Sequence, residues 1–153
     1  MSSLIDHFNR KILSIMQRDS TISQREIAEQ VHLSANACWN RLQVLKKEGV
    51  ILGQTVRLDR EKLGLGLVVF VMIKTRHHSG DWLKMFRQHV ADIPEVVDFF
   101  RIGGEYDYLL KVVTKDMTTY DGVYQRLIKG VELDSVTSNF AMESIVEQRP
   151  LPV

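Results

Sequence analysis

Nothing in the 153 residues sets a nucleophile beside a base and an orienting acid, cradles a phosphate with glycines, or spaces His and Cys as metal ligands. No catalytic set, cofactor or metal is therefore expected, and the chemistry to look for is recognition. The residues that do fall into a pattern are Asn36, Ala37, Asn40, Arg41, Gln43, Lys46 and Lys47. On a helix running from Ser34 to Glu48 they point one way, while Cys38, Leu42 and Leu45 recur at i, i+4 and i+7 on the other side. The outward side carries donors, acceptors and positive charge with almost no carboxylate. A DNA major groove accepts such a helix. Asn36 and Asn40 can address adenine through two bonds and the Ala37 methyl can touch thymine, so these three are the candidate base-edge readers. Arg41, Lys46, Gln24 and Arg25 are candidate phosphate contacts, which position without specifying. Ser34 and the helix N-terminus behind it can hold a further phosphate.

That helix needs a brace. Ser23 precedes Glu26 by three residues, a capping-box pattern, and Ile27, Ala28 and Val31 follow at helical spacing. Leu33 anchors the turn, Ser34 caps the second helix and Gly49 suits the left-handed position that ends it. Residues 4–18 give an earlier amphipathic helix with Asp6 as its cap and Phe8, Ile12, Leu13, Ile15 and Met16 inward. Three helices in about 45 residues form the minimal core of a helix–turn–helix. The bland reading is a helical hairpin with a solvated polar face. Trp39 is expected to be partly buried against the first helix rather than on DNA, and Cys38 to pack rather than react.

The whole-chain charge of +1 hides an asymmetry. Residues 1–60 hold nine Lys/Arg against six Asp/Glu, net +3, and the remainder eleven against thirteen, net −2. Only the first part is expected to meet phosphate, and the modest excess calls for two or more copies acting together. One cysteine excludes an intrachain disulfide and fits a reducing compartment. The apolar run from Leu63 to Ile73 is too short to span a bilayer, so a cytoplasmic protein with no membrane partner is expected.

After Gly49 the period changes to two, with Leu52, Gln54, Val56 and Leu58 on one side of a strand over 50–59 that serves as wing or hinge. From Leu67 the order is strand (67–75), helix (81–91), strand (96–102), glycine turn, strand (106–114), helix (117–128), strand (133–145). This is a β-α-β-β-α-β, ferredoxin-like domain, an antiparallel sheet with both helices on one face. The uncovered face exposes Phe70, Met72 and Phe100, which self-association would hide. The expected organisation is an α+β two-domain chain. It comprises a helix–turn–helix domain at 1–52, a hinge strand at 53–66, and a ferredoxin-like dimerisation and effector domain at 67–153.

This layout, with Gly104-Glu105-Tyr106-Asp107-Tyr108-Leu109 at the centre of its second half, resembles the Lrp/AsnC family of leucine-responsive, feast/famine transcription regulators. The match spans essentially the whole chain. It rests on Asp6, on Arg41-Leu42 with Leu45 and Gly49-Val50-Ile51, on Pro94-Glu95-Val96, on the Gly-x-x-Asp-Tyr turn and on Met142-Glu143. Trp39, Lys74-Thr75-Arg76-His77-His78-Ser79, Trp82 and Phe140-Ala141-Met142-Glu143 look most like a proteobacterial branch associated with cysteine detoxification.

The resemblance implies a homodimer formed through the C-terminal sheet, assembling further and commonly to octamers. It also implies palindromic or repeated promoter sites on double-stranded DNA, and a small amino-acid effector sensed between C-terminal domains. By the same resemblance Gly104, Tyr106, Asp107, Met117, Thr137 and Ser138 fall where the family's effector-response residues cluster. Asp107 would pair with a ligand ammonium, or else cap its own turn. Two departures from the family stand out. Asn40 and Gln43 replace the common Arg or Lys, and Val131-Glu132-Leu133 replaces Pro-Gly-Val one residue short. The rival from another class is an architectural, nucleoid-type DNA-binding protein without an effector. His77-His78 is expected to be a solvated loop rather than a metal site.

Overall fold

The computed structural model describes residues 4–153; the first three residues of the expected 1–52 domain lie outside it. In chain order the elements are α1 (His7–Arg18), α2 (Gln24–Gln30), α3 (Ala35–Lys47), β1 (Leu67–Lys74), α4 (Gly80–Ala91), β2 (Val96–Arg101), β3 (Tyr108–Thr114), α5 (Met117–Ile128) and β4 (Ser135–Phe140). They divide into two compact units, the described residues up to 57 with 146–153, and residues 58–145.

In the N-terminal unit each helix starts where a short polar side chain catches an orphan amide. Asp6 accepts from the Asn9 amide, Ser34 from the Ala37 amide, and Ser23 with Glu26 closes a reciprocal capping box. The helix ends are equally specific. At α3 the Gly49 amide donates to the Lys46 carbonyl (3.1 Å) and the Val50 amide to the Leu45 carbonyl (2.9 Å), with Gly49 at φ +72°. This is a Schellman closure. The same pair of bonds ends α2, from His32 to Glu29 (3.2 Å) and from Leu33 to Ala28 (2.9 Å). Here His32, not glycine, takes the left-handed position at φ +58°. The turn throws Leu33 against a core of Ile12, Ile27, Ala28, Val31, Cys38 and Leu42.

The 58–145 unit is a four-stranded antiparallel sheet in the order β2-β3-β1-β4. Val69, Val71 and Ile73 of β1 with Tyr108, Leu110 and Val112 of β3 join Phe86 and Val90 of α4 and Tyr120, Val123 and Leu127 of α5 in one core. The intervening positions form a second face, where Phe70 lies opposite Lys111 and Asn139, and Met72 opposite Leu109 and Thr137. Phe70 and Phe100 are exposed there, as the alternation anticipates, whereas Met72, expected with them, is half-buried.

Two boundaries differ from expectation. Residues 52–59 form no strand, since none of the four strands of the sheet pairs with them. The last strand stops at Phe140 rather than 145, and residues 146–153, expected with the C-terminal domain, pack with the N-terminal unit. Gln17 grips that tail with both ends of its amide, donating to the Leu151 carbonyl (3.2 Å) and accepting from the Leu151 amide (2.7 Å).

Candidate functional site

The outward face of α3 carries Asn36, Trp39, Asn40, Gln43, Val44, Lys46 and Lys47, all exposed, with Ala37 half-buried at its flank. Cys38, Leu42 and Leu45 are fully turned inward, which gives the helix one orientation about its axis. Burial pushes the Cys38 thiol above its ordinary pKa, so it packs as an apolar group. Ser34 sits at the α3 N-terminus with its oxygen committed to the Ala37 amide, leaving its hydroxyl proton to donate. Gln24 and Arg25 open α2, and Arg25 pairs along the exposed helix surface with Glu29 at 3.1 Å.

Arg41 does something else. Its Nη1 donates to Asp6 Oδ2 at 2.7 Å and to Asn9 Oδ1 at 3.0 Å, and the guanidinium lies 5.3 Å from the Phe8 ring centre. A group held by α1 in this way braces α3 against α1, with Nη1 committed to Asp6 and Asn9. The Asn9 amide bond, and after it Arg41, hold the Asp6 carboxyl below its ordinary pKa. Trp39 also departs from expectation. It is 47% exposed, while the Phe8 ring of α1 is met by Arg41. The sequence offered a signal for this, since Trp39 and Arg41 are two residues apart and cannot share a helix face.

In the second unit the glycine turn is tied to the end of β1. The Asp107 amide donates to the Ile73 carbonyl, the Asp107 carbonyl accepts from Ile102, and Asp107 Oδ2 accepts from the Thr75 amide, each at 2.9 Å. The Asp107 carboxylate therefore ties the turn to the segment after β1 and does not cap its own turn. Gly104 takes φ +131°, a region that L side chains rarely adopt. The Tyr106 hydroxyl lies 3.5 Å from Thr137 Oγ1.

Gly104, Tyr106, Asp107 and Thr137 thus gather at one end of the sheet. Ser138 is not with them. Neighbouring residues of β4 face opposite ways, and Ser138 turns to the helix side, where it bonds the buried Tyr120 hydroxyl. Met117 opens α5 one turn before Tyr120 and is exposed. His77 is not free in solvent as expected. It stacks on Trp82 (centroids 6.1 Å apart) and its Nε2 lies 3.2 Å from Glu132. Among the described residues no group of His, Cys, Asp and Glu could hold a metal, and no helix is long and apolar enough to cross a membrane.

A braced recognition helix on one unit and a βαββαβ sheet on the other define a DNA-binding transcription regulator with an amino-acid effector-binding domain. A winged helix-turn-helix DNA-binding model matches residues 5–51 and the Lrp/AsnC ligand binding domain matches residues 68–151. The chain belongs to the Lrp/AsnC family of transcription regulators, which is not a family of enzymes. It is 46% identical over 151 residues to the DNA-binding transcriptional activator DecR of Escherichia coli K12, covering 98% of this chain and 99% of that one. An AsnC family regulator from Agrobacterium tumefaciens superposes with a TM-score of 0.92 at 44% identity, over 97% of both chains. A Neisseria meningitidis transcriptional regulator in complex with L-Met superposes with a TM-score of 0.89 at 30% identity, over 97% of this chain and 96% of that one.

Proposed function

We propose that Asn36, Ala37 and Asn40 read base edges in palindromic or repeated promoter sites while Ser34, Gln24, Arg25 and Lys46 fix register on the phosphates. The observation that carries this reading is the outward face of α3, held in one orientation by three inward anchors and by Arg41. The open sheet face with Phe70 and Phe100 is covered by a second copy of the chain, and dimers assemble further, up to octamers. Two heads in one assembly also supply the charge that one head lacks.

The effector is a small amino acid, as for the Neisseria relative with L-Met. It meets the cluster of Gly104, Tyr106, Asp107 and Thr137, which a second copy completes. Ser138 and Met117 act through α5 instead of lining the same cleft. The motifs around Trp39, His77 and Phe140 favour the cysteine-detoxification branch, with the protein at work in the cytoplasm. Effector binding shifts the spacing of paired heads only through a difference in affinity for two assemblies.

A thermal-shift screen against the twenty amino acids, followed by Asp107→Asn, tests the effector half. Asparagine keeps an acceptor for the Thr75 amide and removes the charge, so the loop should stand while the amino-acid response is lost. An unchanged response in Asp107→Asn refutes the assignment.

A further inference from the structure

We propose that Trp39 is a specificity-determining DNA contact, its indole covering the C5-methyl of a thymine at the wall of the major groove. The inference rests on the reading of α3 above and adds a residue to it. Trp39 is 47% exposed and Val44 46%, on a helix whose Leu42 and Leu45 are buried, and of the two only Trp39 lies on the flank that carries Lys46. Its line along α3 continues through Gln43 to Lys46, four and seven residues on, about one and two turns. Asn36, Asn40 and Lys47 point straight out from the buried stripe, whereas Trp39 and Lys46 lie on one flank. Arg41 occupies the other flank and is turned to α1.

A helix lying in a groove puts its outermost residues on the base edges and its flank residues against the wall. The thymine methyl projects there, beside the backbone of its own strand, and it is the apolar feature the major groove offers. A wide flat ring next to Lys46 meets both needs: it covers the methyl while the ammonium takes the neighbouring phosphate. The indole N–H is left free to donate to a phosphate oxygen.

The experiment uses the full chain and a duplex that the wild-type protein selects from a random pool. Affinity is measured for that duplex and for a set in which each thymine in turn is replaced by uracil, which deletes only the methyl. Wild type should lose about tenfold at one thymine per half-site. Trp39→Ala should bind the thymine duplex about tenfold more weakly and be indifferent to that uracil, with Trp39→Phe recovering part of the preference. If Trp39→Ala binds as wild type while Asn36→Ala does not, the proposal fails and the α3 reading survives. If no uracil position matters to wild type, or the loss in Trp39→Ala tracks a change in assembly size, Trp39 is not a base reader. If wild type selects no sequence at all, both readings fail.

Discussion

Replacing Arg41 by Gln should destabilise the N-terminal unit by about 2 kcal/mol and leave the salt dependence of DNA binding unchanged. The figure follows from what the guanidinium touches. It makes two hydrogen bonds, 2.7 Å to Asp6 and 3.0 Å to Asn9, and lies 5.3 Å from the Phe8 ring. Side chains 30% and 29% exposed put the ion pair between the surface and buried cases. An exposed pair contributes roughly 0.2–1 kcal/mol, a bond to a charged group about 1.5–3, and an exposed cation–π contact about 0.5–1. These overlap, and their joint effect is nearer about 2 kcal/mol than their sum.

Asp6→Asn keeps a good helix cap and should cost about as much as Arg41→Gln, whereas Asp6→Ala also loses the cap and should cost about 1 kcal/mol more. Because the folded Asp6 carboxyl sits below its ordinary value, the unfolded chain takes up the proton more readily. The pair's contribution is therefore fully present above the unfolded value of about 3.9 and is lost as the pH falls through the lower folded one. Hydrogen exchange of α1 and α3 amides, with urea unfolding, reads the stability; a salt titration of DNA affinity reads the phosphate contact. Unchanged stability in Arg41→Gln with a salt slope flatter by about 0.9 would make Arg41 a phosphate ligand and refute the brace.

His32→Gly should stabilise the N-terminal unit by about 1 kcal/mol in the same urea assay, since it relieves a left-handed residue at φ +58° without removing a hydrogen bond. Ser138→Ala should cost about 1–3 kcal/mol in thermal unfolding of the sheet unit, because it strands the buried Tyr120 hydroxyl, and adding Tyr120→Phe should restore most of the loss. Phe86→Ala, at the fully buried centre of the aromatic cluster with Trp82, Phe99 and Tyr108, should cost about 3–5 kcal/mol by the same measurement.

Elements long enough to show a period were legible in the sequence. The caps at Asp6, Ser23 and Ser34 and the Gly49 stop follow from local spacing and local hydrogen bonds, and the βαββαβ order follows from the period of each element, although its strands pair across long stretches of chain. What escaped depends on contacts between distant segments. The inward turn of Arg41 is decided by its partners Asn9 and Asp6, 32 and 35 residues away. The separation of Thr137 from Ser138 follows from the strand alternation, but a resemblance that pairs them as effector residues does not apply it. The tail at 146–153 shows no period at all, and its docking rests on contacts such as the Gln17 amide, 134 residues from Leu151.

The central claim is that the outer side of α3 carries sequence discrimination. The most direct test is competition between a selected duplex and a scrambled one for wild type and for Asn36→Ala/Asn40→Ala. The double variant should keep its affinity for scrambled DNA and lose about a hundredfold or more of its preference for the selected site. Full discrimination retained by the double variant would contradict the account.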